Sequence, residues 1–340
     1  MAVRLGGASG VGRQNHAGAV MPLIDSEDRD FVGYGSSPPV VEWPGGARLA
    51  VSISVNYEEG SEKSLFFGDA YDEPLSEWGG HRFPIPDHER NRTNESFTEY
   101  GSRVAFWRLL DLFDRYEVPV TFLACALALE RNPAAARAIP ERGHEVCSHG
   151  YRWENHYGMT RDEEKERIAA AVESLERTTG VRPIGWYSRE GLTADTRELL
   201  VDAGFLYDSN SYADDIPYYV AVRGKPHLIV PYSGDLNDVR YWISPGYAHA
   251  DDYLAVLRDT FDWLAEESKR IPRMMSVGLH MRISGRPSRI VAVERFLAYV
   301  KEKPDVWVAR RDEIARWWLQ QAPPEAGASM TAEVVENTAL

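Results

Sequence analysis

The chemistry-bearing side chains of this chain fall at the ends of apolar runs. Ala50 to Gly60 alternates apolar and small polar residues as a buried strand does, then ends in Glu58 and Glu59. Two neighbouring carboxylates at the mouth of a buried strand repel each other, so one of them requires a proton, a cation or a hydrogen-bond donor close by. Later runs end in the same manner, at His149, at Trp186 and Tyr187, at Asp208 and at His280. Acids and imidazoles gathered at one face permit a carboxylate to activate water while an imidazole protonates a departing nitrogen or alkoxide. The same groups could instead hold a metal ion and acidify a bound water. Residue types alone leave both open.

The elements that must position these groups alternate regularly. After the first strand, residues 61–94 carry Gly, Pro, Asp and His without a period, which predicts a lid, a binding loop or a subunit contact. Tyr100 to Tyr116 reads as one amphipathic helix with Val104, Trp107, Leu110, Leu112 and Phe113 on its apolar side. Strands are expected near residues 118–123, 144–148, 182–187, 205–207, 227–232, 273–279 and 306–308. Helices are expected at 126–139, at 160–177 behind the Thr160 to Glu163 capping box, and at 194–203, 252–267, 288–301 and 312–321. Such alternation implies parallel strands with right-handed crossovers, and seven or eight units favour a barrel over an open sheet. In a barrel the catalytic groups lie where the strands end. One α/β domain over 38–322 is expected, preceded by a mobile extension, 1–37, and followed by a disordered tail, 323–340.

Composition narrows the function. The 340 residues are 44% hydrophobic, enough for a large core, and the net charge of −14 lacks the basic face that nucleic acid requires. No apolar run approaches the roughly 20 residues of a membrane span, and Met1 to Val20 lacks the apolar centre of a secretion signal. Cys125 and Cys147 stand inside strand-like runs as buried thiols, which fits a reducing, cytoplasmic setting. A small-molecule substrate is expected, with no nucleic-acid or membrane partner. Leu65, Phe66, Phe67, Tyr71 and Trp78 make the 61–94 excursion more apolar than a free loop, which suggests a homo-oligomer or a lid.

Several separated motifs occur in one order: Asn56-Tyr57-Glu58-Glu59-Gly60, Gly143 to Trp153, Gly185-Trp186-Tyr187, Tyr207-Asp208-Ser209, Asp214 to Tyr218, Gly278-Leu279-His280 and Gly285-Arg286-Pro287. Together, over residues 41–322, the chain resembles the allantoinase-type branch of the polysaccharide deacetylase (NodB-homology) superfamily. The resemblance implies a distorted (β/α) barrel that hydrolyses a carbon–nitrogen bond, in this branch the opening of allantoin to allantoate. It implies Glu58 at the general-base position, Glu59 at a metal-binding acid position, and His149 as the first histidine of a His-x-x-x-His pair. Trp153 stands at the second position and cannot ligate a metal. His280 matches the histidine that acts as general acid.

The branch is described as needing no added metal, so no cofactor is expected. Zinc or another divalent metal on Glu59, His149 and His156 is the alternative. Trp153, Trp186, Tyr187 and Tyr212 would wall a planar heterocycle, with ordinary core packing as the competing role, and Arg189 would stabilise an oxyanion. Asp208 completes the expected substrate side, while Asp214 and Asp215 form either a turn or a substrate contact. The chain departs from the branch where Ser188-Arg189-Glu190-Gly191 replaces Thr-Gly-Arg, which leaves the substrate less fixed than the reaction. The rival readings are a metal-dependent deacetylase of N-acetyl sugars, a cyclic imide hydrolase, and a barrel that binds without turnover.

Overall fold

The computed structural model describes residues 23–74 and 88–324. Trp78 and the outer parts of both termini lie outside the described residues. Nine strands form one sheet: β1 (Leu49–Tyr57), β2 (Thr121–Ala124), β3 (Glu145–Ser148), β4 (Gly185–Trp186), β5 (Tyr207–Asp208), β6 (Tyr218–Val222), β7 (Lys225–Ile229), β8 (Arg273–His280) and β9 (Val306–Val308). The order β6-β7-β5-β4-β3-β2-β1-β8 is parallel throughout except for the β6–β7 hairpin, and β9 pairs with the start of β1. Loops span the gap between that hairpin and β8 through a bridge from Asn237 to Gly278 and a bond from Met274 N to Asp215 O of 2.7 Å. The result is the distorted (β/α) barrel expected.

Among the described residues ten α-helices cover the sheet: α1 (Arg92–Tyr100), α2 (Phe106–Tyr116), α3 (Ala126–Arg131), α4 (Pro133–Glu141), α5 (Arg161–Thr179), α6 (Thr196–Asp202), α7 (Ala250–Glu267), α8 (Met281–Ser284), α9 (Pro287–Lys301) and α10 (Arg311–Gln321). Two expectations are corrected. The stretch expected as one helix from Tyr100 to Tyr116 is the last residue of α1, a π-helical turn, Gly101–Ala105, and α2, and Val104 is 39% exposed instead of lying on the apolar side. The β6–β7 hairpin was not expected as a pair, although Arg223 and Gly224 both adopt positive φ, the geometry of a two-residue hairpin turn.

β1 decides the site because both of its faces are buried. Leu49, Val51, Ile53, Val55 and Tyr57 pack on the helical layer, whereas Ala50 belongs to the barrel interior with Leu123, Cys147, Tyr207 and Met274. That interior is closed by Arg311, fully buried, which donates to Ser209 Oγ at 2.9 Å, Ser276 Oγ at 2.8 Å and the carbonyls of Val230 and Pro231. Residues 24–26 lie along the β6 edge, with Ala221 N to Ile24 O at 2.7 Å. The part of the N-terminal extension that is described thus covers an otherwise open strand edge. No helix among the described residues is long and apolar enough to cross a membrane.

Candidate active site

The alternation of β1 carries two residues past its end and sends the two acids in opposite directions. Glu58 faces the barrel mouth, with Oε1 3.3 Å from His149 Nε2 and 3.5 Å from His280 Nε2. Its Oε2 accepts from Arg282 Nη1 at 2.7 Å. Glu59 faces the helices: Oε1 accepts from the backbone N–H of Arg282 at 3.0 Å and Oε2 from that of Glu58 at 3.2 Å. Both carboxylates are buried. The relief that the paired acids require is therefore a guanidinium, two imidazoles and two backbone donors.

The surroundings separate the two titrations. Burial alone would raise the Glu58 carboxyl, but Arg282 and then His280 outweigh it and hold the group well below its usual range. Burial pushes Glu59 up to about 7, and the negative Glu58 adds to this against the pull of Arg282. His280 behaves in the reverse sense. Burial disfavours its charge, yet Glu58 and Asp238 raise it to about 10, so it is an imidazolium at neutral pH. Asp238 is fully buried; its Oδ1 accepts from His280 Nδ1 at 2.7 Å and its Oδ2 from the His280 backbone N–H at 2.8 Å. Those two bonds fix the ring so that Nε2 points at Glu58. His149 is oriented similarly, since Nδ1 donates to the Tyr187 carbonyl at 2.5 Å and the Tyr187 ring stacks on the imidazole at 5.3 Å.

Of the expected site residues, Glu58, Glu59, His149, His280, Trp153 and Tyr187 come together. The Trp153 ring lies between two guanidinium groups, 3.8 Å from that of Arg189 and 5.2 Å from that of Arg282. Tyr212, 63% exposed, touches the site through its hydroxyl, 3.1 Å from that of Tyr187. The others take different roles. Trp186 is wholly buried among Ile168, Leu199, Leu200 and Phe205 and is core, not a wall. Asp208 is spent on Arg197 at 3.0 Å and His227 at 3.1 Å, which hold it down at about 2 despite burial. Arg189 is a latch to Glu73 at 2.8 Å and to the Trp153 carbonyl at 3.1 Å, so its guanidinium does not serve an oxyanion. Asp214 makes a turn, accepting from the N–H groups of Asp215 and Ile216.

The metal set given as the alternative, Glu59, His149 and His156, is not assembled. His156 pairs with Glu164 at 3.1 Å, and among the described residues no group of three His, Cys, Asp or Glu is arranged to hold an ion. Arg282 already places a fixed positive charge on Glu58, and Trp153 offers no lone pair. The residues present therefore do not fit a divalent metal. Arg282 and Asp238 were missed in the sequence. The first stands two residues beyond the strand-ending His280 on a four-residue helix, and the second lies in a 3-10 turn, Asp238–Tyr241, inside a stretch without periodicity.

An ionised carboxylate set between two imidazoles, one kept protonated by a buried aspartate, at the strand ends of a curled β/α sheet, is the equipment of a hydrolase. Comparison with known proteins agrees. The polysaccharide deacetylase family profile matches residues 97–207. A polysaccharide deacetylase-family protein of Schizosaccharomyces pombe is 38% identical over 321 residues, covering 88% of this chain and 99% of its own length. Among solved structures, a polysaccharide deacetylase-family protein of Pseudomonas aeruginosa is 44% identical with a TM-score of 0.82, covering 87% of this chain and 99% of that one. PuuE allantoinase is likewise 44% identical with a TM-score of 0.82, over 87% of this chain and 98% of that one. The chain belongs to the polysaccharide deacetylase family and is a hydrolase of carbon–nitrogen bonds other than peptide bonds.

Proposed function

We propose that this enzyme opens a small cyclic amide or ureide, with allantoin hydrolysed to allantoate as the leading reaction, and that it does so without an added metal. The observation that carries the reading is the Arg282 guanidinium paired with Glu58 beside Trp153, an organic cation where the catalytic acid needs one. Likeness to PuuE allantoinase over most of both chains supports the same substrate class.

The placement of these side chains supports the following cycle. Water beside Glu58 Oε1 gives up a proton to that carboxylate and adds to a ring carbonyl carbon. Arg282 faces the oxyanion that forms. On collapse the ring carbon–nitrogen bond breaks and the nitrogen takes a proton from His280 Nε2. The proton held on Glu58 then passes to His280 across the 3.5 Å between them, and the product leaves as a carboxylic acid with a freed N–H, then ionises to the carboxylate by giving its proton to solvent. Arg282 lowers the basicity of Glu58, and the same charge stabilises the developing oxyanion, which is the term that counts in the transition state.

The test is hydrolysis of allantoin beside hydantoin, dihydropyrimidine, succinimide and N-acetylglucosamine oligomers, each with and without chelator. Turnover of a cyclic substrate that survives chelation is expected. Turnover confined to the N-acetyl oligomers and abolished by chelation would replace this reading with that of a deacetylase.

A further inference from the structure

The π-helical turn between α1 and α2 packs against Glu59 at one end and against the loop after the Arg282-bearing helix at the other. Phe106 N–H bonds to the Gly101 carbonyl, the five-residue step that inserts one residue into an otherwise continuous helix. Gly101 is buried with no side chain to fill the space above it, and the Glu59 side chain occupies that space. A Cβ at Gly101 would stand 2.7 Å from Glu59 Cδ and 2.8 Å from Cγ, and closer still to Oε1. One turn on, Ala105 meets the loop that follows α8: a Cβ at Gly285 would collide with Ala105 Cβ and lie 3.0 Å from its Cα. Between these two contacts, Ser102 Oγ bonds to Tyr57 OH at 2.7 Å and accepts from Asn132 Nδ2 at 3.0 Å. Arg108 Nη1, at the first turn of α2, donates to the Gly285 carbonyl at 2.6 Å.

We propose that this turn is a positioning element of the catalytic site, with Gly101 seating the Glu59 carboxylate and Ala105 seating Gly285, so that the Arg282-bearing helix α8 is held against both acids. The inference rests on the functional reading above for its effect on rate, but its steric half stands apart from it. The two parts are connected by the bond from Arg282 N–H to Glu59 Oε1. Displacing Glu59 withdraws the acceptor that fixes the first turn of α8, and with it the direction from which Arg282 reaches Glu58. Gly101 touches no reacting atom; it acts through Glu59.

Gly101→Ala tests this, with Glu59→Ala and the double variant completing a cycle. In a helix interior Gly→Ala is ordinarily stabilising. The expected result is a reversal of sign. Gly101→Ala lowers Tm in the native background, where the new methyl meets Glu59, and raises or preserves it in the Glu59→Ala background, where the space is free. A single variant that fails to fold beside a double variant that folds gives the same answer. In folded Gly101→Ala, kcat on the preferred cyclic substrate falls on the order of 10²-fold with little change in KM, as displacement of a supporting group by about 1 Å produces. An equal fall in Tm in both backgrounds, or wild-type kcat in the single variant, would overturn the proposal. If the native enzyme opens none of the cyclic substrates, the functional reading fails while the sign of the Tm change still decides the seating role of Gly101.

Discussion

Replacing Arg282 by methionine removes the cation on Glu58 while roughly keeping the stem volume. Both partners are almost fully buried, the guanidinium lies 2.7 Å from Glu58 Oε2, and 3.6 Å separates it from Glu59 Oε1. Truncating one member of such a pair costs roughly 3–5 kcal/mol, because the remaining charge is left without compensation. At about 2 °C per kcal/mol for a chain of this size, Tm at neutral pH should fall by about 6–10 °C. The loss must also depend on pH. Glu58 has a depressed carboxyl in the folded state, so the stability it draws from Arg282 is present above the unfolded value of 4.5 and is lost as pH falls through the folded value. The difference in Tm between native enzyme and Arg282→Met is therefore widest near neutrality and narrows in acid. In steady-state hydrolysis kcat should drop about 10²–10³-fold, the scale of removing one charge-stabilising donor. Thermal melts from pH 3.5 to 8, read beside hydrolysis rates, provide the assay. A Tm loss that is constant across that range, or a kcat within threefold of native, would refute the role given to Arg282.

Asp238→Asn removes a negative neighbour that keeps His280 protonated, so the alkaline limb of the kcat profile should move down from about 10 toward the ordinary histidine value. An unmoved limb would separate His280 from proton donation. His280 also links stability to pH: its contribution is full below the unfolded value of 6.5 and declines as pH rises through about 10, a decline that His280→Gln should abolish in urea melts. Glu59 has the same sense in a lower window. Its raised value of about 7 means stability falls between pH 4.5 and 7, where the carboxyl ionises in the unfolded chain while the buried one keeps its proton, and Glu59→Gln should flatten that part of the curve. Retention of near-normal hydrolysis by both Glu59→Gln and His280→Ala in folded protein would sink the assignment of the acidic site. Glu73→Gln unlatches Arg189 from the excursion, and a rise in KM without loss of kcat is expected in the same substrate panel.

What could be read from the sequence was what burial periodicity encodes. β1, β3, β8 and the helices α5, α6, α7, α9 and α10 announce themselves through apolar spacing, a capping box or abrupt polar ends, and the strand-end rule then brings Glu58, His149 and His280 to one face. Trp186 and Asp208 end their strands in the same way, yet the fold uses them for packing and for a buried ion pair. Position at a strand end places a side chain near the mouth without deciding whether it turns in or out. The π-turn was illegible because its signal is a registry shift within a helix, which the apolar pattern of 100–116 absorbs as ordinary scatter. Asp238 lay hidden for another reason. Its partner is 42 residues away, and a lone aspartate in an aperiodic stretch is indistinguishable from a turn residue until the chain brings it to His280.

The paired acids show how the remaining gap arises. Adjacent residues on an extended backbone point to opposite faces, so Glu58 and Glu59 meet different neighbours although both lie against Arg282. The alternation that buries Val55 against the helices and Asn56 in the interior assigns Glu58 to the cations at the mouth and Glu59 to the bare face of Gly101. One is driven below the usual carboxylate range and the other above it by environments a single residue apart. Adjacent acids did demand a counter-charge, as the sequence indicated. Its identity depended on where β8 stops, because ending that strand at His280 and turning at once into α8 delivers both the Arg282 side chain to Glu58 and its backbone N–H to Glu59.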